Sequence, residues 1–192
     1  MKKSLVFGAL ATLFSFGAVA ETPPFDYVKF GYVSYDEEDG LDLTGYEIIG
    51  SKLLNDDVYL SAGYTSVSDS VSIFGFGVDL DLNVLNLGLG RKWDVSDTMS
   101  TYAQIDWLNL DVDASGFGDS EDGYRLMFGV RNMATALLEL KAEFTYTDVI
   151  DGSTGVILGA DYEFSHQFSV YGDLEFSEEE SDRFAVGIRY SF

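Results

Sequence analysis

After residue 20, apolar residues recur at every second position. In "LLELKAEFTYT", Leu138, Leu140, Ala142, Phe144 and Tyr146 share one face of an extended chain, and Glu139, Lys141, Glu143, Thr145 and Thr147 share the other. "VYLSAGYT", "VILGADYEF" and the terminal "FAVGIRYSF" repeat the pattern. A period of two is that of strands whose two faces meet different surroundings, and helical spacing is hard to find. Turn signals divide the run into about ten strands, near 27–36, 42–54, 58–66, 81–93, 99–110, 123–132, 137–147, 154–164, 168–176 and 182–192. Each has roughly the 9–12 residues that a tilted strand needs to cross a bilayer.

The connections fall into two sets. "NDD" at 55–57, "DVSDT" at 94–98, "MATA" at 133–136 and "SHQ" at 165–167 are short. The other set is acidic or glycine-rich and mostly longer: "DEEDG" at 36–40, "SVSDSVSIFGFGVD" at 66–79, "DVDASGFGDSEDG" at 111–123, "DVIDGST" at 148–154 and "SEEES" at 177–181. Short turns on one rim, longer loops on the other and an even strand count predict a closed antiparallel up-and-down transmembrane β-barrel. Eight strands is the alternative count.

A soluble barrel would also alternate, with its apolar face inward and charge outside. The polar face decides between the two. It carries seven basic residues (Lys29, Lys92, Arg125, Arg131, Lys141, Arg183, Arg189) and eight acidic ones: Glu47, Asp106, Glu139, Glu143, Asp161, Glu163, Asp173 and Glu175. Such a near balance, in a chain of net charge −22, suits an enclosed lumen, where a charge is costly unless paired. Lys52 and Arg91 fall on the apolar face beside the short turns, where long side chains reach headgroups. Tyr27, Phe164, Phe168, Tyr190 and Phe192 lie near the same rim, as an interfacial aromatic girdle would. Tyr27, Tyr35, Tyr59, Tyr102, Met127 and Tyr171 alternate inward and are expected to fill the lumen with the ion pairs.

"MKKSLVFGALATLFSFGAVA" has two lysines, an apolar run too short to span a bilayer, and Ala18-Val19-Ala20. It reads as a secretory signal peptide over 1–20, with Ala18 and Ala20 marking the cleavage site and 21–192 forming the barrel domain. Without Lys2 and Lys3 the domain keeps 9 basic against 33 acidic residues, a net charge of −24. That balance excludes nucleic acid as a partner, since phosphate would be repelled. Cysteine is absent, which excludes disulfides and thiolate chemistry.

With these features placed, the chain resembles the small outer-membrane β-barrel domain family of Gram-negative bacteria, in the style of the OmpA barrel and OmpX-like proteins, over essentially all of 21–192. Those barrels have eight strands where ten are counted here. The most specific element is Ile188-x-Tyr190-x-Phe192 at the C-terminus, similar to the signal read by the barrel-assembly machinery. The resemblance implies insertion by that machinery after periplasmic chaperoning. It says little of function, because one fold serves many.

Catalysis finds little support. Outer-membrane barrel enzymes known from the resemblance use His with Asp or Ser, and the one histidine, His166, lies in a short periplasmic turn. Glu139/Glu143 and Asp173/Glu175 sit beside Lys and Arg and read as ion-pair partners. One loop matches the ligand spacing of a 12-residue calcium site: Asp111, Asp113, Ser115, the carbonyl of Phe117, Asp119 and Asp122. Calcium is thus the one cofactor the chain suggests, against the plainer reading of a solvated acidic loop. The acidic rim (Asp36, Glu37, Glu38, Asp39, Glu178, Glu179, Glu180) would face lipopolysaccharide headgroups. Phe74, Phe76 and Phe117, set between glycines, would cap the mouth or meet a partner, or the first loop would simply prolong its strands.

The reading is a monomeric integral barrel of the cell outer membrane with a structural or surface-interaction role. A narrow porin-like channel for small solutes or cations is the alternative, and a lipid-modifying enzyme the third.

Overall fold

The computed structural model describes residues 22–36, 42–73, 76–114, 116–149, 152–178 and 182–192. The expected signal peptide with Ala18 and Ala20, the acidic residues 37–39 and 179–180, Phe74 and Ser115 lie outside them. Ten strands follow in order: β1 (Tyr27–Asp36), β2 (Asp42–Leu53), β3 (Val58–Ile73), β4 (Phe76–Ser96), β5 (Met99–Ala114), β6 (Phe117–Met133), β7 (Leu138–Asp148), β8 (Gly152–Ser165), β9 (Phe168–Ser177) and β10 (Asp182–Ser191). Each pairs antiparallel with its neighbours, and β1 pairs with β10 from Tyr27↔Ser191 to Asp36↔Asp182, closing the barrel. Closure leaves no free edge at that seam. Among the described residues no helix is long and apolar enough to span a membrane, a fact silent on strands.

The outer face is apolar because the alternation is. Phe30, Ile48, Leu60, Leu87, Leu89, Ile105, Leu126, Phe128 and Phe144 are exposed around the barrel's waist. Two aromatic girdles bound this belt, as interfacial rings do. On the periplasmic side Phe164, Phe168, Tyr190 and Phe192 form a chain with ring centroids 5.1–6.4 Å apart. On the extracellular side Tyr46 and Tyr64 form one pair, with Phe30 of the belt against Tyr46, and Tyr124 with Tyr146 another. Tyr27 does not join the girdle. It faces the lumen, its ring 4.4 Å from the Arg189 guanidinium, because it shares the inward phase of Lys29 on β1.

Two segments expected as loops are strand. Residues 66–73 and 76–79 continue the β3–β4 ladder, and 111–114 and 117–123 the β5–β6 ladder, with Ser70 opposite Asp79 and Asp113 opposite Gly118. The period of two survives there with its polarity reversed, which disguised it. Above the extracellular girdle the outward positions are Asp79, Asp81, Asn83, Asn109, Asp111, Asp113 and Asp122, while Leu80, Leu82, Leu108, Leu110 and Val112 turn inward. Water has replaced lipid outside, so the faces exchange character. Strands of 16, 21, 16 and 17 residues, β3 to β6, therefore rise beyond the shorter ones as two paired hairpins.

Candidate functional site

The lumen is the one region where the alternation gathers charge, and it is layered. Toward the periplasm, Arg189 spans from the Pro24 carbonyl (2.7 Å) to Glu139 (2.9 Å) and Asp161 (3.3 Å). Arg131 donates to the other oxygen of Glu139 at 2.5 Å. Above them Lys29 reaches Asp161 (3.3 Å) and Asp173 (3.8 Å), and Lys141 reaches Asp173 (3.0 Å) and Glu143 (3.6 Å). The Tyr102 hydroxyl also donates to Glu143. Toward the cell surface, Glu47 accepts from Arg183 and, at 2.9 Å, from the Tyr171 hydroxyl, while Arg183 approaches Glu175 at 3.8 Å. The pairs join strands that are not hydrogen-bonded neighbours, β1 to β8 and β10 to β2: Lys29 and Asp161 are 132 residues apart in sequence, Arg183 and Glu47 136.

Four of the expected ion-pair residues are used otherwise. Lys92 pairs with Asp94 on its own strand, at 2.7 Å beside the periplasmic turn. Arg125 donates to the Thr147 hydroxyl at 2.9 Å, a nearer acceptor than any carboxylate. Asp106, opposite Arg125 in the β5–β6 register, instead accepts from Gln104 (2.8 Å) and Ser61 (3.3 Å). Glu163 borders the irregularity at the end of β8 and is half-buried, where water can solvate it. Among the described residues, neither Arg125, Asp106 nor Glu163 has an oppositely charged partner within 4 Å.

Apolar layers cover both ends of this network. On the extracellular side Val33 and Ala185 (both 0 % exposed), Leu43 and Val67 pack together, with Leu80, Leu82 and Tyr35 against them. On the periplasmic side Phe25, 3 % exposed, inserts below Tyr59 and Tyr102 at 5.0 and 5.8 Å between ring centroids. The Arg131 guanidinium lies 4.5 Å from the Phe25 ring, a cation–π contact that lets an apolar lid adjoin a charge. Between the layers lies a cavity of about 180 Å³ lined by Tyr59, Gln104, Asp106, Lys141, Glu143 and Asp173 among others. Its polar lining and size suit several ordered waters.

Residues 22–26 were not read as part of any site, yet they close the periplasmic mouth. Asp26 clasps this segment to β2, accepting from Lys52 (2.9 Å) and from the Leu53 amide (2.6 Å). Partial desolvation opposes its ionisation, but these hydrogen bonds and the lysine charge outweigh it and hold the Asp26 carboxyl below its ordinary range. The only prior hint of the lid was one Phe standing alone after two prolines.

The β5–β6 hairpin spreads the described residues of the calcium spacing over both faces. Asp111 faces Ser120 and Asp122 faces Asn109 across the β5–β6 hairpin, whereas Asp119 lies opposite Val112 and so projects from the other face. Asp113 caps the hairpin turn, accepting from the Gly116 amide at 2.8 Å, where Gly116 adopts the left-handed φ of 89°. A strand hairpin spreads side chains that a 12-residue loop would converge, and among the described residues no cluster of three or more acidic or histidine side chains could hold a metal ion. Calorimetry with calcium is expected to show no heat that depends on Asp111 and Asp113; a saturable heat lost in Asp111→Asn would contradict this geometry. Phe117 is 86 % exposed at the hairpin tip rather than folded over the mouth. His166 sits in the β8–β9 turn.

Belt, girdles, charged lumen and closure together describe a membrane-spanning cylinder. Solved structures agree in fold. The KdgM porin in complex with disordered oligogalacturonate superposes with TM-score 0.53 at 14 % identity, covering 86 % of this chain and 99 % of that one. This chain has the outer-membrane β-barrel fold. The outer membrane protein OprG from Pseudomonas aeruginosa matches the barrel with TM-score 0.53 at 10 % identity, over 92 % and 99 % of the two chains. Ail, the attachment invasion locus protein of Yersinia pestis, in complex with the heparin analogue sucrose octasulfate, gives 0.50 at 12 % identity, over 87 % and 97 %. No protein-family model and no curated protein matches the barrel.

Proposed function

We propose that this protein is a non-conducting, non-enzymatic outer-membrane barrel that displays the β3–β4 and β5–β6 hairpins at the cell surface. The fold cannot choose between roles, because it is shared by a porin and an attachment protein. What carries the reading is the lumen: a core of ion pairs held between two apolar layers, Val33–Leu43–Val67–Ala185 above and Phe25–Tyr59–Tyr102 below. A hydrated ion on this route would shed water at each layer, and an unsolvated charge in apolar surroundings is strongly disfavoured. By contrast, the described parts of the two hairpins outside are paired strand.

The role as surface protein follows from the hairpins' composition. Residues 66–90 and 108–124 contain no lysine, arginine or histidine, so the hairpins form a wholly acidic projection. Lipopolysaccharide headgroups bridged by divalent ions are its nearest neighbours. The barrel acts as monomer, delivered by periplasmic chaperones and the barrel-assembly machinery that its Ile188-x-Tyr190-x-Phe192 ending suits. Planar-bilayer recording of the refolded protein tests the closed lumen: the expected result is no steady single-channel current. Stable conductance steps would overturn the reading in favour of a channel.

A further inference from the structure

The lipid-facing wall is not uniformly convex. An oblique groove of about 820 Å³ crosses the outside of β1 to β6, its exposed surface almost wholly apolar. It follows the cross-strand row Val28–Gly50–Ala62–Leu87–Trp107–Tyr124. Strands in such barrels tilt by about 35–45°, so a row perpendicular to them climbs from the periplasmic rim into the hydrocarbon belt. Gly50 forms part of the floor. A Cβ built there would meet nothing nearer than 3.9 Å, whereas one at the lumen-facing Gly88 would strike Asp106 at 1.8 Å. The lumen glycines make room for neighbours inside the barrel; Gly50 leaves room for something outside it.

The foot of the groove carries the charge that says what that is. Lys52 lines it, and Arg91 lies two strands away beside the same rim, their side chains 58 % and 56 % exposed. Among the described residues they are the only basic side chains on the lipid-facing side, the other seven being directed inward. Each has an acidic partner, Asp26 at 2.9 Å and Asp57 at 3.3 Å. Such exposed pairs are weak, so a phosphate can share the cation. The Phe192 ring, 4.8 Å from the Lys52 ammonium, walls the entrance.

We propose that this groove is a binding site for an anionic phospholipid of the periplasmic leaflet, its acyl chain lying along Gly50, Ala62 and Leu87 and its phosphate held by Lys52 and Arg91. The site is independent of whether the lumen conducts, so bilayer recording and lipid binding can fail separately. An unselective lipid annulus and a second copy of the chain are the competing occupants.

Trp107 lines the groove and Trp93 does not, and they are the two tryptophans of the chain. Trp93→Phe therefore leaves a single reporter in the site. The folded variant in vesicles is titrated with phosphatidylglycerol or phosphatidylcholine brominated in the acyl chain, and Trp107 quenching gives their relative affinities. The expected result is a preference of about fivefold for the anionic lipid, the order set by one basic residue at an anionic surface. It is expected to collapse toward unity in Lys52→Ala/Arg91→Ala, and quenching by both lipids is expected to fall in Gly50→Leu, which fills the floor. The acidic extracellular side cannot produce that preference, so its loss reports the periplasmic cations. Equal affinities in the Trp93→Phe protein, or a preference that survives removal of both cations, would overturn the proposal. So would quenching that vanishes as protein density rises with a cross-linkable dimer across Gly50.

Discussion

Replacing Arg189 with methionine is expected to lower the barrel's unfolding free energy by about 3–5 kcal/mol, the cost of breaking a buried pair from one side. Arg189 is 1 % exposed and stands between Glu139 and Asp161 while reaching the Pro24 carbonyl. Its removal leaves two buried carboxylates with one cation fewer beside them. It also frees the segment that carries the Phe25 lid. Urea titration of the protein folded in vesicles measures the loss. Adding Glu139→Gln to Arg189→Met is expected to restore part of it, because the uncompensated charge is then gone. A loss below about 1 kcal/mol would mean that Lys29 and Arg131 can neutralise the layer alone, as at an exposed pair.

Deleting Phe192 is expected to leave little folded barrel in the outer membrane while changing refolded stability far less. In the folded protein Phe192 adds one ring to the periplasmic girdle, 6.0 Å from Tyr190, and its amide donates to the Asp26 carbonyl at 3.2 Å. These are rim contacts, shared with water and headgroups, and cannot hold the barrel together. A large cellular defect would therefore reflect reading of the terminal Ile188-x-Tyr190-x-Phe192 during assembly. Heat-modifiable mobility of the protein in outer-membrane fractions gives the first quantity, and unfolding of the refolded variant in vesicles the second. Normal cellular levels would refute the signal; equal defects in both would make Phe192 merely structural.

Much of this protein could be read from the order of its residues. A strand's side chains alternate strictly, so the phase of the apolar residues told which groups face lipid and which the lumen, including all seven inward cations. Strand number and the division into short and long connections followed from the same alternation. It failed where the solvent changes: above the extracellular girdle the polarity of the two faces exchanges, and strands such as 111–114 and 117–123 looked like loops. The calcium spacing was persuasive for the same reason, since acid at every second residue describes either a ligand loop or a wet strand face.

What alternation cannot encode is which inward groups meet. Partners such as Lys29 with Asp161, or Glu47 with Arg183, are set by register, stagger and closure acting between strands far apart in the chain. Only the closed barrel brought Phe25 beneath Tyr59, sealed the other mouth with Val33 and Ala185, and turned Gly50 and Ala62 into a groove above Lys52. The sequence by itself determined inside and outside, because facing is a local consequence of pleating. The tertiary structure decided contact, because a closed sheet fixes distance between residues that are far apart in the chain and share only their height in the barrel.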